Sequence, residues 1–224
     1  MSAPLPDLSL ADFSRRLGDL SPEPLSDQVL AALYAHYQEL RRWSPRLALI
    51  GPGTVAEVLE RHYGESLAAL PLLGPRGEIR GPLVDAGSGA GFPGFVLAAA
   101  RPDLETVLVE PRERKWAFLL AAARRAALPV RCLDARVTLP LPRELPERIG
   151  CVTSRALRLP APVLAALGER LAEGGRILLW TGAEPPDLPA SLAVLRSLPL
   201  AGSASRRILD LRAAAPAGAG EPSD

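Results

Sequence analysis

Three acidic residues stand where apolar runs end in a pattern that alternates between strands and helices. They are Asp85, Glu110 and Asp134. Because the carboxyl ends of parallel strands meet at one edge of a sheet, we expect the three carboxylates near one another. A carboxylate accepts hydrogen bonds from ribose hydroxyls and attracts a positive group. The spacing therefore predicts a site for a ligand with a ribose and a positively charged end, with Asp134 at the edge of a base such as adenine.

A glycine-rich turn between the first two acids is the second feature with chemical meaning. Gly87, Gly89 and Gly91 alternate with other residues just before a helical pattern. Glycines permit positive φ and close approach of a ligand to the backbone, and a helix start presents free N–H groups. The pattern G-x-G-x-x-G begins at Gly89, as in dinucleotide-binding turns. Asp85 would repel a pyrophosphate and attract an ammonium group, which favours S-adenosylmethionine over NAD(P).

Each of these features also has a simpler interpretation. The glycine run could be a structural turn that binds no ligand, and Asp134 could cap a helix. A dinucleotide site would instead indicate an NAD-linked oxidoreductase, although Asp85 argues against it.

The order of the apolar runs predicts an α/β fold with a doubly wound, mostly parallel sheet. Helices are expected from the glycine turn to Ala100, and over Arg112–Ala127 and Pro160–Leu171. Strands are expected at Leu83–Ala86, Thr106–Glu110, Val130–Leu133, Ile149–Thr153 and Arg176–Trp180, with a final pair at Leu192–Leu200 and Arg206–Leu211.

Helical spacing dominates the chain before the first strand. A short amphipathic pattern precedes residue 20, and Ser26–Trp43 places its apolar residues on one face and polar residues, His36 among them, elsewhere. A third helix is expected from a cap at Thr54 to about Leu70. The organisation predicted is an N-terminal helical extension, a linker rich in Gly and Pro, a ligand-binding domain and a disordered tail, at residues 1–70, 71–82, 83–212 and 213–224.

Composition limits the class of protein and its partners. The 224 residues carry a net charge of +1, so the overall charge does not indicate a nucleic-acid partner. The start of the chain lacks the pattern of a signal peptide, and no apolar run is long enough to span a membrane, so a cytoplasmic protein is expected. The two cysteines lack metal-binding spacing, so no metal is expected. Contacts to RNA would depend on individual arginines, with candidates at Arg41, Arg42, Arg46, Arg61, Arg112, Arg114, Arg155 and Arg158.

Several short motifs together resemble one enzyme family. The run DAGSGAGFPG from Asp85, Arg-Pro at 101–102, the acid at 110 and Thr-Ser-Arg-Ala at 153–156 are similar to the RsmG (glucose-inhibited division protein B) family. The resemblance covers roughly residues 25–212. It implies a class I methyltransferase, with a Rossmann-like sheet, an antiparallel last strand and an N-terminal helical cap. It also implies methylation of a guanine N7 in 16S rRNA of the small ribosomal subunit, with S-adenosylmethionine as cofactor, by a monomer in the cytoplasm.

The resemblance also implies roles for individual residues. Gly87 and Phe92 would line the methionine and ribose side of the cofactor, and Glu110 would hold the ribose. Arg155 would face the cofactor or the target base. His62 belongs to a segment that resembles the family's basic-His-x-x-Asp-Ser, and would either position the base or pack at the junction between extension and domain. The adenine would lie along Arg136, Val137 and Thr138.

Some positions depart from the family pattern on the substrate side. Ala48-Leu49-Ile50 stands for Asn-Leu-Thr, and Glu65 stands for an Asp. Thr138 stands for a Glu near the adenine, and Thr181 for a Lys after the fifth strand. Two alternatives to rRNA methylation therefore stay open: a divergent paralogue that methylates another substrate, and a non-catalytic cofactor-binding protein.

Overall fold

The structure is a computed structural model that describes residues 4–184 and 186–214. The disordered tail predicted for 213–224 lies, from residue 215 onward, outside the described residues. Its first residue, Ala213, ends the last strand.

The chain begins with two amphipathic helices, as the apolar spacing predicts. Helix α1 spans Leu10–Leu20 and helix α2 spans Asp27–Trp43. A serine caps each one, and its hydroxyl accepts the backbone N–H three residues further on, a common role for serine at this position. The buried faces of the two helices include Phe13, Leu17, Leu33, Tyr37 and Leu40.

The third predicted helix, from Thr54 to about Leu70, is wrong as a continuous element. Side chains engage backbone groups in this segment: the Ser66 hydroxyl donates to the His62 carbonyl at 2.6 Å, and the Thr54 hydroxyl donates to the Gly51 carbonyl at 3.0 Å. Such local bonds compete with a regular helical ladder. The segment consists of a 3-10 turn, a π-helical turn, the short helix α3 and a second 3-10 turn, at Pro52–Thr54, Leu59–Gly64, Glu65–Leu67 and Leu70–Leu72.

Strands and helices then alternate, which confirms the predicted α/β class. The helices are α4 at Gly94–Ala100, α5 at Glu113–Arg125 and α6 at Ala161–Glu169. The strands are β1 at Leu83–Ala86, β2 at Thr106–Val109, β3 at Val130–Leu133, β4 at Ile149–Arg155, β5 at Leu171–Thr181, β6 at Leu192–Pro199 and β7 at Arg207–Ala213.

The seven strands form one sheet in the order β3-β2-β1-β4-β5-β7-β6. Strands β1 to β5 pair in parallel, and β7 runs antiparallel to both of its neighbours. The expected mostly parallel sheet with an antiparallel last strand is thereby confirmed. Strand β5 begins five residues earlier than predicted, because Gly174 adopts a φ of 71° inside the strand and Leu171 still pairs with Ile149. A positive φ in a strand is typical of a bulge, and glycine tolerates it.

Both faces of the central sheet are buried, so its strands are apolar without alternation. On one face, Leu83 and Leu108 belong to a core that also contains the N-terminal helices. On the other face, their neighbours Val84 and Val107 belong to a core with α6. The extension and the sheet therefore share one apolar core.

The segment 71–82, predicted as a linker, packs against the sheet. Arg176 of β5 is buried and donates to the Leu72 carbonyl and, at 3.0 Å, to Glu78. Arg101, after α4, donates to the Gly74 carbonyl at 2.9 Å. Ile79 is buried as well. The domain boundaries at residues 70 and 83 stay predictions.

Candidate cofactor and substrate site

The glycine turn connects β1 to α4 at the carboxyl edge of the sheet. Gly87, Gly89 and Gly91 have φ values of 75°, 56° and 88°, a region that favours glycine. The N–H groups of Gly87 and Ser88 both donate to the Val109 carbonyl at 2.9 Å, so the turn is fixed to the end of β2. A Cβ on Gly87 would lie 2.8 Å from the Leu157 side chain. Backbone and neighbours therefore both require glycine here.

Asp85 lies beneath this turn and is 1% exposed. Its Oδ2 accepts the Gly94 N–H at 3.2 Å, and its Oδ1 accepts the Thr153 hydroxyl at 2.6 Å. Burial raises the pKa of Asp85 to about 6, although these hydrogen bonds oppose the rise. Both carboxylate oxygens thus join the start of α4 to strand β4. The attraction of an ammonium group by Asp85 stays a prediction.

Glu110 meets the glycine turn directly, although 21 residues separate it from Gly89. Its Oε2 accepts the Gly89 N–H at 2.8 Å and its Oε1 accepts the Arg112 N–H at 3.0 Å. The residues predicted beside the adenine follow β3. Of these, Val137 is buried and the other three, Asp134, Arg136 and Thr138, are exposed.

Arg155, at the end of β4, faces the N-terminal extension. Its guanidinium donates to Glu65 Oε2 at 2.9 Å and to the Arg61 carbonyl. Glu65 Oε1 also accepts Arg61 Nε at 3.1 Å and Arg206 Nε at 2.9 Å. Arg206 was not predicted as a site residue, because no local sequence pattern indicates that the loop before β7 contacts the N-terminal segment.

His62 lies between this arginine group and the glycine turn. Its Nε2 is 2.9 Å from the Thr54 hydroxyl, and its ring centroid is 5.0 Å from that of Phe92. Burial, followed by the nearby Arg155 and Arg61, lowers the pKa of His62 to about 3. The imidazole is therefore neutral at physiological pH and packs against the turn.

His36 of α2 contacts the turn too, and its predicted place on the polar face is wrong. The residue is fully buried, three positions after Leu33 and four before Leu40, so it lies on the apolar face. His36 Nε2 is 2.9 Å from the Ala90 carbonyl, which can only accept, so this nitrogen carries the proton. Nδ1 consequently accepts the Tyr63 hydroxyl at 2.6 Å. Burial lowers the pKa of His36 to about 4, so this neutral form persists.

A cleft of about 790 Å³ opens beyond the ends of β4 and β5. Ser154, Trp180 and Thr181 lie along it, together with Leu157, which packs over Gly87. Its volume is typical of a small-molecule site, and it adjoins the glycine turn through Leu157.

Residues 4–184 and 186–214 contain neither a cluster of metal-binding side chains nor a membrane-spanning helix. These residues contain no group of three His, Cys, Asp or Glu side chains that could hold a metal ion. Among the same residues, every helix is too short or too polar to cross a membrane.

Comparison with solved structures relates the chain to proteins of the same fold. TrmN from Thermus thermophilus superimposes with a TM-score of 0.53 at 20% identity, over 70% of this chain and 53% of that one. A mutant of MtNAS in complex with S-adenosylmethionine superimposes with a TM-score of 0.57 at 14% identity, over 91% of this chain and 77% of that one. At these identities the likeness concerns the fold.

Sequence comparison is more specific. A relative from Desulfotalea psychrophila, named ribosomal RNA small subunit methyltransferase G, is 42% identical over 127 residues, or 56% of this chain and 57% of that protein. Relatives of the same name from Paramagnetospirillum magneticum and Acidiphilium cryptum are 38% and 34% identical, over 75% and 92% of this chain and 78% and 97% of those proteins. The GidB family model, described as rRNA small subunit methyltransferase G, matches residues 29–189. The chain therefore belongs to the GidB family.

Proposed function

We propose that this protein transfers a methyl group from S-adenosylmethionine to the N7 of a guanine in 16S rRNA of the small ribosomal subunit. The observation that carries the proposal is the family match over residues 29–189. This match includes most of α2, the glycine turn, Glu110 and Arg155, so it covers part of the extension together with the candidate site. The relatives' names supply the substrate class, small-subunit ribosomal RNA.

The residues present fit this cofactor. The three glycines keep the backbone of the turn free of side chains, and Glu110 lies at Gly89 with both oxygens on backbone N–H groups. A carboxylate in this place can accept ribose hydroxyls. We assign the methionine side to Gly87 and Phe92, and the adenine side to Asp134, Arg136, Val137 and Thr138. When bound, the cofactor supplies an electrophilic methyl group on a sulfonium.

Methylation at guanine N7 requires little acid–base catalysis by the protein. N7 carries an in-plane lone pair and no proton, so no base has to act before the attack. The protein has to align the nucleophilic nitrogen with the methyl group, which is catalysis by proximity and orientation. The neutral His62 and the fully engaged Asp85 agree with such a site, because neither has to transfer a proton.

The cleft beyond β4 and β5 is the proposed place of the target base. Ser154 at the end of β4 and Trp180 and Thr181 at the end of the neighbouring β5 line it. Thr181 stands where the family resemblance has a Lys, so any charge contact from this position is lost. Arg155 and His62 act as positioning residues in this proposal, since they reach the site through Glu65 and Phe92.

Methyl transfer by the purified protein tests the proposal. Labelled S-adenosylmethionine is incubated with 16S rRNA and with small subunits from a strain in which the chain's gene is deleted. We expect label in one guanine, identified by mass spectrometry as 7-methylguanosine, and no label with Gly87→Val. Label in another molecule or base would favour a paralogue with a changed substrate. Absence of S-adenosylmethionine binding in calorimetry would remove the enzymatic function altogether.

A further inference from the structure

Four charged side chains from three separate parts of the chain form the Glu65 cluster: Arg61, Glu65, Arg155 and Arg206. The buried carboxylate of Glu65 accepts hydrogen bonds from all three guanidinium groups, at distances between 2.9 and 3.1 Å. Arg61 belongs to the N-terminal extension, Arg155 to the end of β4 and Arg206 to the loop before β7. The fold therefore gathers three cations around a single anion.

The charges in this cluster do not balance. Three guanidinium groups face one carboxylate, and the one further acid that pairs with them among the described residues, Glu57, is 3.9 Å from Arg61 and largely exposed. Burial lowers the pKa of Arg155, and the neighbouring Arg61 and Arg206 lower it further, against the effect of Glu65. Among the described residues, Nη1 of Arg155 is buried without a hydrogen-bond partner. The cluster therefore carries an excess of positive charge.

The position of the cluster relates it to the proposed substrate. The Glu65 carbonyl accepts the indole N–H of Trp180 at 2.8 Å, and Trp180 lies along the cleft beyond β4 and β5. On the other side, His62 separates the cluster from Phe92 of the glycine turn. An anion bound here would lie beside the cleft and outside the turn.

We propose that Arg61 and Arg206, held in place by Glu65 beside the buried Arg155, bind one backbone phosphate of the RNA substrate. The proposal rests on the proposed function for the identity of the RNA. The planar guanidinium matches phosphate oxygens in pairs, and a phosphodiester supplies the missing negative charge. The side chains of Arg61 and Arg206 are 28% and 26% exposed, and Glu65 engages only the Nε of each, so both side chains are open in part to solvent and to a ligand. Glu65 orients the three groups, which would otherwise repel one another.

The salt dependence of RNA binding tests this assignment. The affinity of the protein for unmodified 16S rRNA, transcribed in vitro, is measured over a range of salt concentrations. For Arg206→Ala we expect the slope of log K against log salt to fall by about 0.7 to 0.9, and the affinity to fall about tenfold at roughly 0.1 M salt. Arg206→Lys keeps the charge, so its slope should stay near that of the wild type.

Arg207→Ala is the matched control. Arg207 is the exposed first residue of β7, next to Arg206 in sequence and outside the cluster. It should keep the wild-type slope, and thermal melting of each variant shows that it is folded. An equal loss of slope in Arg206→Ala and Arg207→Ala would overturn a discrete phosphate site. So would an unchanged slope in folded Arg206→Ala.

Two further readouts separate this inference from the proposed function. Wild-type methyl transfer to 16S rRNA with an unchanged slope in Arg206→Ala would remove the phosphate site and leave the function standing. Weaker S-adenosylmethionine binding by Arg206→Ala, without a change in slope, would assign the cluster to the cofactor's carboxylate and also overturn the proposal. A wild-type protein that neither methylates nor binds the RNA would remove both.

Discussion

At the scale of single residues, two acids that the sequence presents alike have different places in the structure. Asp85 is enclosed beneath the glycine turn, bound to Gly94 and Thr153. Glu110 lies against the turn itself at Gly89. The spacing of apolar runs predicted that both would reach the carboxyl edge of the sheet. It could not predict the Thr153 bond, because that contact depends on β4 pairing beside β1.

The glycine turn allows a test of one residue with a matched control. Gly87→Ala should weaken S-adenosylmethionine binding at least about tenfold, because the added Cβ meets Leu157 and a positive φ costs about 1–2 kcal/mol with a side chain present. Gly174→Ala in β5 introduces the same backbone strain, at a φ of 71°, with nothing within 4 Å. Calorimetry should find normal cofactor binding in this control. Equal affinities in the two variants would contradict a ligand-binding role for the turn.

Histidine titration gives a second prediction, on stability. Burial is the main cause of the lowered pKa of His36, to about 4, and of His62, to about 3. Both titrate near 6.5 in the unfolded chain. Their contribution to stability is therefore complete above about pH 6.5 and is lost as the pH falls toward 4. Asp85 has the opposite effect on stability. Its pKa is raised to about 6 in the folded state, so the folded state gains stability as the pH falls and the carboxyl is protonated.

Between about pH 7.5 and about pH 5, each histidine should lower the free energy of unfolding by roughly 2 kcal/mol, and Asp85 should raise it by about 1 kcal/mol. Urea unfolding at the two pH values measures the net loss, about 3 kcal/mol. His62→Gln should reduce this loss by roughly 2 kcal/mol. A variant with the same pH dependence as the wild type would show that His62 is not held neutral.

At the scale of elements, the N-terminal extension differs most from its predicted form. Its apolar residues were recognised and are buried, but the continuous third helix was not found. Hydrogen bonds from Ser66 and Thr54 to nearby carbonyls favour short turns. The helical spacing of apolar residues gives no information about these hydrogen bonds. The same periodicity did contain the signal for His36, since the spacing from Leu33 and Leu40 places it on the buried face of α2.

The contact between α2 and the glycine turn can be tested through His36. His36→Leu removes the donor to the Ala90 carbonyl, so the turn is less restrained and S-adenosylmethionine should bind about tenfold more weakly. His36→Gln, which can still donate, should restore part of the affinity. Tyr37→Phe is the control, because it removes another hydrogen bond of α2, to the Pro6 carbonyl, away from the turn. If His36→Leu and Tyr37→Phe bind the cofactor equally well, His36 has only a structural role.

At the scale of the whole molecule, local patterns predicted the class of fold but not its long-range contacts. The apolar runs placed all seven strands, and β1, β2 and β4 begin where they were expected because buried parallel strands are continuously apolar. The Glu65 cluster contains a hydrogen bond between residues 141 positions apart in the chain. No local sequence pattern predicts such a contact, because it depends on the position of β7 in the sheet between β5 and β6. Cofactor residues close to one turn were therefore easier to identify than residues that contact the substrate.

The central claim is that this protein methylates guanine N7 in 16S rRNA, and the most direct measurement is mass spectrometry of that RNA from a deletion strain. Deletion should leave one guanine without its N7 methyl group, and the wild-type gene should restore it. The gene with Gly87→Val should not restore it, because the cofactor turn is blocked at Leu157. A 16S rRNA that keeps every 7-methylguanosine after deletion would contradict the claim.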